Sequence, residues 1–295
     1  MRTLLVTGAS GFLGWHVCAA ARRSGWRVVG MTHSHGAALE EVDMRACDLR
    51  DPAALERLVA DVSPDAVAHL AAVSQPNACE HDPAGTAALN VGASLHLAAF
   101  CAARRIPLAF TSSDLVFDGA RAPYRETDPV GPVNEYGRQK VTAETGIRQR
   151  HPAAVICRMP LMFGPAAGSG RSFVQPLVEA LTRGQQVRLF VDEYRTPVSG
   201  RDAAAGILAA LERGAGGVYH LGGRERISRY EFGLALARLM HAPESLVVPV
   251  RQRDIPMAAA RPPDVSLDSS LAHRELGYAP AMIEHELQAL LETET

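Results

Sequence analysis

The opening stretch, "MRTLLVTGASGFLG", restricts the fold of this chain more than any other. An apolar run that reads as a strand passes without a spacer into a pattern that reads as a helix, and glycines stand at positions 8, 11 and 14. A strand that turns straight into a helix on a glycine-rich loop is the first unit of a parallel sheet covered by helices. In such a turn one glycine permits the tight bend, one lets backbone approach a pyrophosphate and one lets helix pack on strand. The phosphate itself would rest on the free amides of the helix N-terminus. Gly8, Gly11 and Gly14, with Ser10, Phe12 and Leu13 between them, are therefore candidate cofactor-binding residues.

The alternation continues through the first half of the chain. Runs rich in β-branched residues at 27–32, 66–72, 107–113 and 153–159 read as strands. Helical patterns separate them at 12–25, 52–62, 83–105 and 135–149. The expected fold is α/β: a Rossmann-type doubly wound parallel sheet over residues 1–160, followed by a smaller C-terminal substrate-binding lobe over 161–295. Later strands around 190–222 are expected to return to the first domain. In the lobe, a helix is expected from Ser172 as its cap, and another from Ser228, where Glu231 completes a capping box.

Composition removes several classes of function. A net charge of -2, without basic residues interleaved with aromatics, gives no footprint for DNA or RNA. Five scattered cysteines without a Cys-x-x-Cys pair suggest reduced thiols and a cytoplasmic protein. No apolar run approaches the roughly 20 residues of a membrane span. The eleven histidines show no metal-ligand spacing, so no catalytic metal is expected.

At the end of the second strand an NAD site usually places a carboxylate against the ribose hydroxyls. Here that position is Thr32, followed by His33 and Ser34, with nothing to repel a 2′-phosphate and no arginine next in sequence to clamp one. NADP (NADPH) is therefore expected over NAD. Asp48, with Leu49 beside it, suits the adenine edge; it reads equally well as a helix cap before Pro52.

One residue type is nearly absent. Lys140 is the only lysine, against 29 arginines, so its position asks for an ammonium. Tyr136 lies four residues earlier, on the same face if 135–149 is helical. An ammonium beside a phenol is expected to lower the phenol's pKa from about 10.

Gly8-x-x-Gly11-x-x-Gly14, Ser113 and Tyr136-x-x-x-Lys140, in this order, resemble an extended short-chain dehydrogenase/reductase. The block 110–144 is similar to that of dTDP-4-dehydrorhamnose reductases and of the regulatory beta subunit of methionine adenosyltransferase. Segments 157–164, 194–207, 217–223 and 261–278 continue the resemblance, which thus covers essentially the whole chain.

The resemblance implies Tyr136 as general acid, Lys140 as its tuner and ribose contact, and Ser113 as hydrogen-bond partner of the substrate carbonyl. It places Leu70, Ala71, Ala72 and Asn90 at the cofactor, and Arg195 and Arg261 at the diphosphate of a nucleotide-sugar substrate. Ala71 and Ala72 read equally as core packing, and the two arginines as surface ion-pair residues. The implied reaction is NAD(P)H-dependent reduction of a nucleotide-linked 4-keto-6-deoxy sugar, with a homodimer allowed for. Two alternatives stand beside it: an epimerase that retains its cofactor, and a cofactor-binding regulatory subunit. The loop "SGFLG" is closer to epimerases and dehydratases, and 71–83 is nearer the regulatory relatives. Dehydration is disfavoured, because Ser113 is followed by Asp114 and Leu115 rather than an Asp-Glu pair.

Overall fold

The computed structural model describes residues 1–33, 39–166, 170–214 and 216–293. Its first half alternates β1 (Thr3–Thr7), α1 (Phe12–Arg23), β2 (Arg27–Thr32), β3 (Asp43–Ala46), α2 (Pro52–Val62) and β4 (Ala66–His69). There follow α3 (Pro76–His81), α4 (Pro83–Ala87), a π-helical turn (Ala88–Ala93), α5 (Ser94–Arg104), β5 (Leu108–Ser113), α6 (Glu135–Arg150) and β6 (Val155–Met159). The second half contains the short strands β7 (Met162–Phe163), β8 (Val187–Phe190), β9 (Tyr194–Arg195) and β10 (Val198–Ser199), then β11 (Gly217–His220), β12 (Ile227–Ser228) and β13 (Val247–Val250). Its helices are α7 (Val174–Thr182), α8 (Gly200–Arg213), α9 (Arg229–Leu239), α10 (Ser270–Leu276) and α11 (Ile283–Thr293).

Seven strands form one parallel sheet in the order β11-β6-β5-β4-β1-β2-β3. Every residue of β1, β4, β5 and β6 is buried. That explains why apolar residues follow one another in them rather than alternating with polar ones, since a parallel sheet is covered on both faces. One face packs Val17 and Ala21 of α1 and Ala203 and Ile207 of α8; the other packs Leu55 of α2, Leu97 of α5 and Ile147 of α6. A third apolar cluster, around Phe163, Phe232 and Leu287, forms the core of the lobe. Strand order reverses between β1 and β4, and the crevice beyond their C-terminal ends is where α/β sheets bind ligands.

Of the later strands, β11 joins this sheet beside β6, whereas β9 and β10 pair with β12 and β7 outside it. The expected strand 66–72 stops at His69, because the amides of Leu70 and Ala71 turn to the Thr7 hydroxyl at 3.1 and 3.2 Å. The capping box forms: Ser228 Oγ accepts from Glu231 N at 3.1 Å, and Glu231 Oε2 accepts from Ser228 N at 2.8 Å. The helix expected from Ser172 begins at Val174, whose amide donates to the Ser172 hydroxyl.

Contrary to the expectation that no apolar run reaches a membrane span, the continuous helical run Pro83–Arg104, 22 residues, is long and apolar enough to cross a membrane by length and composition. In this fold Leu97, Ala98 and Cys101 are spent on the sheet, and Asn90 and Ser94 bond inside it. The lobe is tied to the first helix by His16, which faces the Pro165 carbonyl at 3.0 Å. Burial holds that imidazole neutral, lowering its pKa to about 4.

Candidate functional site

One cavity of about 730 Å³ runs along the C-terminal ends of β1, β4 and β5 and opens towards the lobe. Its floor at one end is the glycine loop. Gly8 adopts φ +67°, and a side chain there would strike the Ala71 backbone at 2.9 Å. At Gly14 a Cβ would stand 2.1 Å from the Gly8 carbonyl oxygen, so glycine alone permits α1 to approach β1 so closely. No side chain caps α1 and no acidic residue stands in its first turn, which leaves a partly positive helix end facing the cavity. This is the donor set a pyrophosphate requires.

The sequence-derived cofactor residues converge here. Ser10, Phe12, Leu13, Thr32, His33, Asp48, Leu49, Leu70, Ala71 and Ala72 all line the cavity with the three glycines. Ser34 lies outside the described residues. Asn90 does not line the cavity. Its amide is buried beneath the wall, where Oδ1 accepts from Val73 N at 2.8 Å and Nδ2 donates to Gln139 Oε1 at 2.7 Å. It fixes the loop after β4 instead of facing a ligand.

The middle of the cavity holds Ser113, Tyr136 and Lys140. Asn134 caps α6 by accepting from Gly137 N at 2.9 Å, and one turn separates Tyr136 from Lys140. Lys140 Nζ donates to the Thr111 carbonyl at 2.9 Å and stands 4.7 Å from the centroid of the Phe110 ring and 5.7 Å from that of Tyr136. Burial lowers its pKa to about 8, against the opposing charge of Glu144 one turn on. The phenol departs from the expectation for a phenol beside an ammonium. Burial pushes Tyr136 well above its ordinary value, Asp114 adds to the rise, and a hydrogen bond with Ser113 only partly opposes it. Desolvation therefore outranks the neighbouring ammonium, because the phenolate has lost its water. Ser113 Oγ accepts from Leu115 N at 3.2 Å and donates to Asp114 Oδ1 at 3.1 Å, while the buried Ser112 hydroxyl has no partner among the described residues.

The far end is a cluster of buried charge. Arg195 meets Asp114 at 3.4 Å and Glu193 at 3.2 Å, and Arg229 meets Glu193 at 3.2 Å. Arg261 lines the same wall, its buried Nε without a partner among the described residues. Burial raises the pKa of Asp114 despite Arg195. Burial would also raise Glu193, but Arg229, Arg195 and Arg261 together outweigh it and hold it below the usual range. Three guanidinium groups face two carboxylates, so at least one positive charge remains for an anion.

Across residues 1–295 the chain matches the family described as RmlD substrate binding domain. The chain belongs to that family. Among curated RmlD-like relatives, the probable low-salt glycan biosynthesis reductase Agl14 of Haloferax volcanii is 32% identical over 288 residues, covering 97% of this chain and 96% of its own. Methionine adenosyltransferase 2 subunit beta of Xenopus laevis is 32% identical over 275 residues, covering 91% and 81%. A dTDP-4-dehydrorhamnose reductase structure from Clostridium acetobutylicum superposes with a TM-score of 0.87 at 22% identity, covering 99% of both chains. A hypothetical dTDP-4-dehydrorhamnose reductase from Sulfolobus tokodaii gives 0.82 at 29% identity, covering 96% and 98%.

The sequence reading of this RmlD-family chain missed three arginines that line the cavity, Arg50, Arg171 and Arg229. Arg50 lines the cofactor end, gripping Asp48 at 2.8 Å and reaching His33 Nε2 at 3.5 Å. Parallel pairing of β2 and β3 brings the two strand ends together across 17 residues of sequence. Arg229 enters through the antiparallel pairing of β9 with β12. The only sequence signal for it was its place directly after the Ser228 cap, at a helix start that faces β9.

Proposed function

We propose that the chain reduces a nucleotide-linked keto sugar of the 4-keto-6-deoxy class with NADPH. The observation that carries this is the order of groups in one cavity: an uncapped helix end on a glycine loop, then Ser113, Tyr136 and Lys140, then Arg195, Arg229 and Arg261. Two anion-binding ends flank a hydroxyl pair, which suits a dinucleotide meeting a sugar diphosphate. Gly8, Gly11 and Gly14 would hold the cofactor's pyrophosphate, and the cofactor when bound supplies a hydride.

The residues of the chain do the rest. Ser113 and Tyr136 would bind the substrate carbonyl and stabilise the negative charge that grows on its oxygen. Tyr136, kept protonated by burial, gives its proton to that oxygen. Burial also inverts the usual order of acidity. The Lys140 ammonium, near 8, becomes a stronger acid than the phenol and can restore its proton downhill.

Arg50 and His33 favour the phosphorylated cofactor. They present positive and hydrogen-bonding groups beside Thr32 and Ser10, where a ribose 2′-phosphate would lie. The test is direct: NADPH with a panel of nucleotide-linked 4-keto sugars, followed by cofactor oxidation. Turnover of none of them removes the reductase reading. Oxidised cofactor retained through purification would favour an epimerase instead, and stable co-purification with a synthetase would favour a regulatory subunit.

A further inference from the structure

Asn134 makes two hydrogen bonds with opposite ends of one amide. Its Oδ1 caps α6 at Gly137 N, 2.9 Å away, and its Nδ2 donates to the Ala260 carbonyl, also at 2.9 Å. The residue is fully buried, and the two partners fix which end of the amide faces which. Residues 255–263 contain neither helix nor strand, so their path depends on tethers of this kind. A second tether runs from Ala259 N to Asn77 Oδ1 on α3, at 3.1 Å. Directly after these two anchored residues comes Arg261, and two residues after Asn134 on α6 comes Tyr136.

We infer that Asn134 is a positioning residue that sets Arg261 in register with the helix carrying Tyr136 and Lys140. The inference rests on the nucleotide-sugar reading of the cavity. It explains why this cap is an amide. Aspartate and serine cap helices as well as asparagine does, but a carboxylate has no donor for Ala260, and a serine hydroxyl held at the cap is too short to reach it. A carboxylate would also face the Ala260 carbonyl with like charge.

The experiment separates the two bonds. UDP and dTDP, each without a sugar, are titrated into the NADPH-loaded protein. Asn134→Asp keeps the cap and loses the tether, so the diphosphate should bind about tenfold more weakly, the loss expected for one buried hydrogen bond. NADPH affinity should stay near that of the wild type, while the unfolding midpoint falls, because the buried Ala260 carbonyl loses its donor. Asn134→Ser, whose hydroxyl caps α6 but falls short of Ala260, should reproduce the loss and serves if the aspartate folds poorly. In an Arg261→Ala background, Asn134→Asp should add almost nothing, because the clip acts through that arginine. With the keto-sugar substrate, KM should rise while kcat holds. Unchanged diphosphate affinity in both variants, or full additivity with Arg261→Ala, overturns the clip while leaving the nucleotide-sugar reading intact. Failure of the wild type to bind either diphosphate overturns that reading, and the role of Asn134 with it.

Discussion

Lys140→Met should stabilise the ligand-free protein relative to wild type in a way that fades as pH rises. The ammonium is buried, and its pKa falls from 10.5 to about 8 because desolvation outweighs Glu144. A difference of about 2.5 pH units, at 1.36 kcal/mol each, amounts to about 3 kcal/mol. The sign follows from proton counting. Below pH 8 both folded and unfolded chains hold the proton, and the folded state carries the full cost of a buried charge. Between about 8 and 10.5 the unfolded chain still binds a proton that the folded chain has released, so wild-type stability rises with pH.

Methionine is unbranched, fills the same channel and carries no charge. It leaves the Thr111 carbonyl without its donor, a pH-independent cost of about 1–3 kcal/mol. Urea unfolding of both proteins at intervals from pH 7 to 10.5 therefore reads the change in their difference, not its absolute value. Titrations of Tyr136 and the cysteines occur in both proteins and largely cancel. Relative to wild type, the variant's stability should fall by about 3 kcal/mol across the interval, while its reductase activity is lost at every pH. A difference flat in pH would refute the claim that burial dominates at Lys140, and one that grows with pH would reverse its sign.

Arg50→Ala should lower the proposed preference for NADPH over NADH. A charge-assisted contact worth about 1.5–3 kcal/mol, less the exposed Asp48 pair it replaces, predicts a loss of about 5- to 30-fold in the ratio of the two KM values. Tyr136→Phe should cut kcat by about 100-fold or more, with NADPH affinity in fluorescence titration within a few-fold of wild type. Gly14→Ala should destabilise by about 1–3 kcal/mol in thermal or urea unfolding, despite alanine's better helix propensity. The new methyl group would meet backbone at 2.1 Å, and α1 must lift, so cofactor affinity should fall in the same titration.

What the sequence disclosed here is what chain neighbours decide. The glycine loop, the four-residue step from Tyr136 to Lys140 and the Ser228 capping box are local patterns, and each lies where its spacing puts it. Arg50 and Arg229 reach the site through pairings between strands remote in sequence, so no window of local pattern contained them. Asn90 misleads for a different reason. Its helix passes the cavity, but the π-helical turn at 88–93 and the open amides at Val73 turn its side chain inward. The Tyr136 phenol shows the limit of pairwise reasoning about charge, since the depth of burial set its pKa and depth is a property of the whole fold.

The distribution of buried charge also indicates what the lobe is for. A fold that needed only stability would gain little from Arg195, Glu193, Asp114 and Arg229 at the junction of lobe and sheet, because apolar residues of similar volume do as well or better. Their two carboxylates neutralise only part of the charge of the three guanidinium groups. They fix them in place and leave the surplus positive charge directed at the cavity, with Arg261 Nε unpaired among the described residues. Such a cluster holds its geometry before any ligand arrives, so less ordering cost falls on binding. The glycine loop achieves the same at the other end with backbone alone. On the proposed reading, the hydroxyls between them would meet a substrate whose two charged neighbours are already constrained, which is the condition for placing a carbonyl within reach of Tyr136.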